Sequence, residues 1–380
     1  MSSSEQAAGF STEALSLELA VEKMVERIID QESRRKKIGK ALSGLKGACL
    51  DTDGGIVERT LVKEVKIDPL QDLRVCGVDG GLLDQQLHGF DLILVRALAV
   101  ILHYCEGVLA GAEYLPSDFP QPRPIDVAES LDAWEFQILA GMERQLAEIE
   151  IAANVADNGG VGSILLDGSI VPQYVERFPR SPKLFERYQN LIQAYTRLYQ
   201  ACVQSGIILA GAVKDSRGAR FVEILKQRIL SKFDLGLEKD DFSILEKTRD
   251  TVLLNHLLKV GERTSAFTYA EKPASYVLSD LGPWATKIYG FYIRTVPFDR
   301  PLRVEFLEGG EGIAETADRV ASLVYALSSF HDGFGLPSVI VEADARARLT
   351  EEDLELFRDS ISARLEPDFA LEMRRARKPF

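Results

Sequence analysis

The chain has 380 residues, 46% apolar and 27% charged, a composition that can bury a core and excludes a disulfide mini-scaffold, a disordered chain and a collagen-like one. Its 58 acidic and 45 basic residues give a net charge of −13, so the molecule as a whole repels polyanions and any contact with one needs a local basic patch. An acidic excess also fits a protein that gathers carboxylates around metal ions. No apolar run approaches the roughly 18 residues of a membrane span, and residues 1–20 lack the basic-then-apolar order of a secretion signal, so a cytoplasmic protein without membrane contact is expected. Cys49, Cys76, Cys105 and Cys202 form no Cys-x-x-Cys pair and are expected to be buried thiols without chemistry.

In chain order, the first twelve residues, rich in Ser, Ala and Gly, read as disordered. From Thr12, Leu15, Leu17, Leu19, Val21, Met24, Val25, Ile28 and Ile29 recur largely at helical spacing and predict an amphipathic helix towards Leu45, with an apolar face suited to a partner. Asp51–Gly55 is a break, and Val62–Ile67 alternates like a strand. Arg74–Asp79 and Phe90–Tyr104 read as buried strands, Tyr114–Pro124 with its four prolines as an irregular excursion, and Ala128–Val155 as a long helix. Strand Ser163–Asp167, helix Pro182–Gln204 and strand Gly206–Val213 follow, an alternation that predicts an α/β domain. Residues 217–260 read as helical, 265–306 as several strands including Ile288–Val296, and Ile313–Ser329 as a helix. Ser338–Val341 reads as a last strand leading into Glu342, Ala343 and Asp344, before a closing helix Thr350–Leu365. The expected organisation is a tail and helix over residues 1–50, a main domain over 51–366 and a basic tail over 367–380. The basic runs Arg34-Arg35-Lys36-Lys37 and Arg374, Arg375, Arg377, Lys378 are open to two readings, a solvated surface or a polyanion contact.

Several chemistries are struck out by missing motifs: there is no phosphate-binding Gly-x-x-x-x-Gly-Lys loop, no Gly-x-Gly-x-x-Gly, no Gly-x-Ser-x-Gly and no His-Glu-x-x-His. The four histidines, His88, His103, His256 and His331, do not pair at ligand spacing. Acidic residues at strand ends remain. Asp-Gly ordinarily marks a tight turn, but Asp79 ends Val75-Cys76-Gly77-Val78 and Asp167 ends Ile164-Leu165-Leu166, runs apolar enough for central strands. A carboxylate there loses hydration, and two aimed at one spot repel, a combination that a divalent cation with oxygen ligands resolves.

These segments together resemble the NurA nuclease family. Val78-Asp79-Gly80-Gly81 followed by the strand containing Val95-Arg96-Ala97 is similar to its opening, Leu166-Asp167-Gly168-Ser169 to its second acidic motif, and Val213-Lys214-Asp215-Ser216 to its strand-then-Lys-Asp-Ser segment. Gly335-Leu336-Pro337 through Ala343-Asp344-Ala345-Arg346-Ala347-Arg348 resembles the closing motif, so the likeness spans about Arg74 to Leu349. It implies an RNase H-like mixed sheet flanked by helices in a Mn2+- or Mg2+-dependent DNA nuclease. Members act on single-stranded DNA and on duplex ends with 5′ to 3′ polarity, form homodimers, and process DNA ends with a HerA-type hexameric ATPase.

Carried over residue by residue, the resemblance makes Asp79 and Asp167 metal ligands and adds a helix glutamate, for which Glu148 fits the Arg-then-Glu spacing best while Glu143 and Glu150 compete. The family's closing Ala-His stands here as Ala343-Asp344. Asp344 is then the fourth oxygen ligand, with Glu342 on the same strand face as a helper or His331 as a replacement. Lys214 contacts the scissile phosphate or pairs with the carboxylates. The altered closing motif leaves a rival reading, a non-catalytic DNA-end adaptor docked on a ring ATPase.

Overall fold

The computed structural model describes residues 3–364 except 53–54, 69, 88–90, 128–130, 173–181, 231, 234, 238 and 274–275. The basic run at Arg374–Lys378 and the Asp53-Gly54 pair lie outside the described residues. Among the described residues the helices are α1 (Ser3–Ser43), α2 (Ala133–Asn158), α3 (Pro182–Ser205), α4 (Arg220–Ile224), α5 (Lys239–Ser243), α6 (Asp250–Leu254), α7 (Tyr276–Asp280), α8 (Ile313–Ser328), α9 (Ser338–Ala347) and α10 (Glu351–Ser362). The strands are β1 (Val62–Glu64), β2 (Leu73–Gln86), β3 (Asp91–Cys105), β4 (Val108–Leu115), β5 (Arg123–Val127), β6 (Ser163–Asp167), β7 (Ile208–Val213), β8 (Glu262–Thr264), β9 (Phe267–Thr268), β10 (Ile288–Ile293) and β11 (Leu302–Leu307).

One sheet collects all eleven strands, in the order β1-β8-β10-β11-β7-β6-β2-β3-β4, with β5 beside β3 and β9 beside β10. Its centre is parallel, β2 with β6 and β6 with β7, and the remaining pairs are antiparallel. Parallel neighbours need crossovers, which α2 and α3 supply. Residues such as Cys76, Val78, Ile164 and Leu166 pack on one face against Phe136, Leu139 and Ile149 of α2 and Leu191 and Leu198 of α3. Val75, Leu98, Leu165 and Val304 pack on the other face against Val320 of α8 and Val339 and Ile340 of α9. A third cluster joins the end of α1, through Ile38 and Leu42, to residues of the 221–258 region.

Several expectations change. The N-terminal helix starts at Ser3, not Thr12, since Glu5, Gln6, Ala7 and Ala8 are good helix formers. β2 runs on from Asp79 to Gln86, so Asp79 lies within a strand instead of ending one. The proline-rich stretch is irregular only between β4 and β5, and Pro124 is accommodated because β5 pairs with β3 alone. Residues 217–260 form short pieces, including a π turn at Leu225–Ile229, instead of continuous helix. Ser338–Val341 is the start of helix α9, whose buried Val339, Ile340, Ala343 and Ala347 follow helical spacing; four apolar residues alone do not distinguish strand from helix. Cys76 and Cys202 are buried, whereas Cys49 and Cys105 are exposed.

Close contact between α9 and β2 depends on two glycines. A Cβ at Gly77 would lie 2.5 Å from the Val339 carbonyl oxygen, and one at Gly81 would lie 2.1 Å from that of Ala347. Both obstacles are backbone and cannot swing aside. Gly81→Ala is therefore expected to destabilise the protein by about 1–3 kcal/mol, read as a lower urea midpoint at unchanged slope.

Candidate metal centre

Strand alternation puts Gly77, Asp79 and Gly81 on the face of β2 that α9 covers. The parallel register Val78↔Leu166 sets Asp167, the last residue of β6, beside Asp79. Lys214 follows β7, the next strand of the sheet, and Asp344 comes from α9. Carboxylate oxygens of Asp79, Asp167 and Asp344 lie within 4.8 Å of one another, the group of this kind found among the described residues. Lys214 Nζ donates to Asp167 Oδ2 at 2.6 Å and to Asp344 Oδ1 at 3.2 Å.

Glu148 reaches the site from α2, on the opposite face of the sheet. A Cβ at Gly80 would lie 2.6 Å from Glu148 Oε1, so glycine at that position leaves room for the carboxylate. Arg144 Nη1 pairs with Glu148 Oε1 at 2.7 Å, and Glu148 stands outside the three-aspartate group. The two competing glutamates point elsewhere: Glu143 pairs with Arg187 at 2.9 Å, and Glu150 is exposed. Glu342 is not on a shared face with Asp344, because residues two apart on a helix lie about 200° apart. Its carboxylate instead accepts from Tyr114 and Arg346 at 3.0 and 2.9 Å. His331 is exposed and its Nδ1 accepts from the Gly333 N–H in its own loop. Of the other histidines, His256 meets Glu32 at 2.8 Å and His103 is exposed, while His88 lies outside the described residues. In the run at Arg34–Lys37, Arg34 pairs with Asp30 and Lys37 with Asp241.

The electrostatics follow from crowding. Burial, reinforced by Asp167 and Asp344, pushes Asp79 up to about 7 from 3.8, and Asp79 is only 7% exposed. Burial pushes Glu148 up to about 8, with Asp79 and Asp167 adding to the shift and Arg144 opposing it. Asp167 is also raised by burial, against the pull of Lys214. Burial would lower the Lys214 ammonium, but Asp167 and Asp344 outweigh it and hold the group above its ordinary value. An all-oxygen donor set with more negative charge than its one bonded ammonium neutralises fits a hard divalent cation.

Two features of the site were not read from the sequence. One is the glycine spacing 77, 80 and 81, which admits α9 and Glu148; a strand-like run with glycines on both sides of an aspartate was the available signal. The other is a buried pair, Arg303 and Glu305, whose Nε and Oε1 meet at 2.8 Å. Opposite charges two apart inside the apolar strand Leu302–Leu307 were the signal there.

A parallel β2–β6–β7 centre, an antiparallel β2–β3–β4 wing and aspartates converging beside the end of β6 define an RNase H-like α/β protein with an acidic centre. The family model of the NurA domain matches residues 73–349, and the chain belongs to the NurA family. The crystal structure of the NurA nuclease from Sulfolobus solfataricus superposes with a TM-score of 0.58 at 14% identity, covering 94% of this chain and 98% of that one. A crystal structure of NurA bound to dAMP and manganese gives a TM-score of 0.48 at 12% identity, covering 92% of this chain and 98% of that one. No curated protein matches the chain in sequence.

Because the folded state holds a proton on Asp79 more tightly than the unfolded state, metal-free stability falls as pH rises from about 4 through about 7. Asp79→Asn removes that penalty. In EDTA it is expected to raise Tm by a few degrees at pH 8 and by less at pH 5, measured by thermal melts of both proteins.

Proposed function

We propose that this chain is a divalent-metal-dependent deoxyribonuclease that hydrolyses phosphodiester bonds in single-stranded DNA and, with 5′ to 3′ polarity, at duplex ends. The observation that carries the reading is the convergence of Asp79, Asp167 and Asp344 within 4.8 Å, and family membership supports it. A divalent cation in this donor set, Mn2+ or Mg2+, supplies an activated water and neutralises charge at phosphorus. Asp79, Asp167 and Asp344 hold it. Glu148, raised to about 8 by burial, holds its proton at neutral pH and would be a further oxygen donor to the cation once deprotonated. Lys214, which pairs with Asp167 and Asp344, would contact the scissile phosphate.

The protein works on DNA ends as a homodimer with a HerA-type hexameric ATPase, in the cytoplasm. The homodimer reading is supported by α1, where Leu17, Val21, Met24 and Ile28 are each about half exposed or more. No helix among the described residues is long and apolar enough to cross a membrane.

Asp79→Asn and Asp167→Asn are each expected to lower DNA cleavage by at least about a thousandfold with the far-UV circular dichroism unchanged. The assay is cleavage of labelled single-stranded and duplex oligonucleotides across titrations of Mn2+ and Mg2+. DNA binding without cleavage in either metal by the native protein would support an end-binding adaptor instead.

Asp344 gives a second, independent prediction. A carboxylate favours hard ions, whereas imidazole suits transition ions. The native protein is expected to cleave with Mg2+, and Asp344→His to shift the requirement towards Mn2+, measured as the metal concentration for half-maximal rate. Identical metal profiles, with Asp344→Ala still active, would remove Asp344 from the site.

A further inference from the structure

Beneath the sheet, on the α2 and α3 side, a chain of buried polar groups joins the two loops that leave the metal centre. It starts at the turn after Asp167. There the Gly168 N–H donates to Ala212 O at 3.0 Å, and Ser169 Oγ donates to Glu305 Oε2 at 2.5 Å while accepting from the Val171 N–H at 3.0 Å. The turn presses onto β7 so closely that a Cβ at Gly211 would lie 2.3 Å from Gly168 O. From Glu305, which is 2% exposed, the chain passes to Arg303 and then to Tyr292 Oη, which accepts from Arg303 Nη1 at 3.3 Å. Tyr292 donates to Asp250 Oδ2 at 2.9 Å, and Asp250 accepts from the Phe221 and Val222 N–H groups at 3.0 and 2.8 Å.

The second loop, Lys214 to Gly218, rests on the same groups. A Cβ at Gly218 would lie 3.0 Å from Arg303 Nη1 and 3.1 Å from Tyr292 Oη, the Asp250 N–H donates to Gly218 O at 2.9 Å, and the Gly218 N–H donates to Ser216 Oγ at 3.2 Å. The guanidinium of Arg303 is fixed in turn by the rings of Tyr269, Phe267 and Tyr292, at 5.3, 5.8 and 5.9 Å from their centroids. A buried ion pair inside a sheet carries a desolvation cost that an apolar pair of the same size would avoid.

We propose that Glu305 and Arg303, acting through Ser169, are positioning residues that set the Asp167 carboxylate and the Lys214 loop for divalent-cation binding. The inference rests on the metal-centre reading above. Partners that orient metal ligands through hydrogen bonds typically contribute a 10- to 100-fold factor in metal affinity.

The test is direct binding of Mn2+ to the full-length protein by calorimetry, with no DNA and no cleavage readout, for the native protein, Ser169→Ala, Ser169→Thr, Glu305→Gln and Asp318→Asn. Asp318, itself about half exposed, pairs with the buried Arg263 and with Lys63 away from this chain of groups, so Asp318→Asn reports what the loss of an ion pair elsewhere in the protein does. Ser169→Ala and Glu305→Gln are expected to weaken Mn2+ binding about tenfold or more, Ser169→Thr to restore it, and Asp318→Asn to leave it unchanged. Native affinity in Ser169→Ala and Glu305→Gln, or an equal loss in Asp318→Asn, would overturn the positioning role. Absence of Mn2+ binding by the native protein would overturn the metal-centre reading and this inference with it. Circular dichroism melts of each variant confirm that binding is measured on folded protein.

Discussion

Mutual repulsion among Asp79, Asp167 and Asp344 is the constraint around which the rest of the molecule is arranged. Carboxylates held this close do not stay together unless the backbone leaves them no alternative, and each neighbouring element removes one. β3 and β6 flank β2 and fix Asp79 within a long strand, paired with β3 from Leu73 to Gln86 and with β6 from Val75 to Val78. The end of β6 fixes Asp167, and α9, pressed on Gly77 and Gly81, carries Asp344 over the sheet. In the metal-free protein the repulsion is relieved partly by Lys214 and partly by the raised proton affinity of Asp79 and Glu148.

The two faces of the sheet divide the work. The α9 face carries the three aspartates, and the α2 face carries Glu148 with Arg144 and the buried chain through Glu305 and Arg303. Glycines at 80 and 211 let groups from the second face approach the first, since each occupies a place where any Cβ would collide with a neighbouring oxygen. At Gly211 it is the backbone of the Gly168 turn, and at Gly80 the Glu148 side chain, that takes the space a Cβ would fill.

Family membership and the fold agree with this architecture across most of the chain, residues 73–349. Asp344, where the resemblance called for histidine, stands on α9 and brings a carboxylate beside Asp79 and Asp167. Its carboxylate is the second carboxylate partner of Lys214.

The central strands and long helices were legible because their signal is local: unbroken apolar runs such as Ile164–Leu166 for parallel strands, and apolar spacing along α2, α3 and α8 for helices. Asp79 and Asp167 were legible for the same reason, as acids in runs too apolar to leave them hydrated. The short stretch Ser338–Val341 was not, because four apolar residues satisfy either period and only burial at positions 339, 340, 343 and 347 against the sheet selects the helix. With the helix, Glu342 and Asp344 separate to different sides, which no strand reading foresees. Glu148, preferred in the sequence for its Arg-then-Glu spacing, pairs with Arg144, whereas Glu143 pairs with Arg187 and Glu150 is exposed, differences that depend on what the sheet and the neighbouring arginines offer each of them. The sequence alone thus determined which strands are buried and which acids are costly to place there. The meeting of these acids at one point depended on the register of β2 with β6 and on the depth to which α9 sinks onto two glycines, both properties of chain segments far apart in sequence.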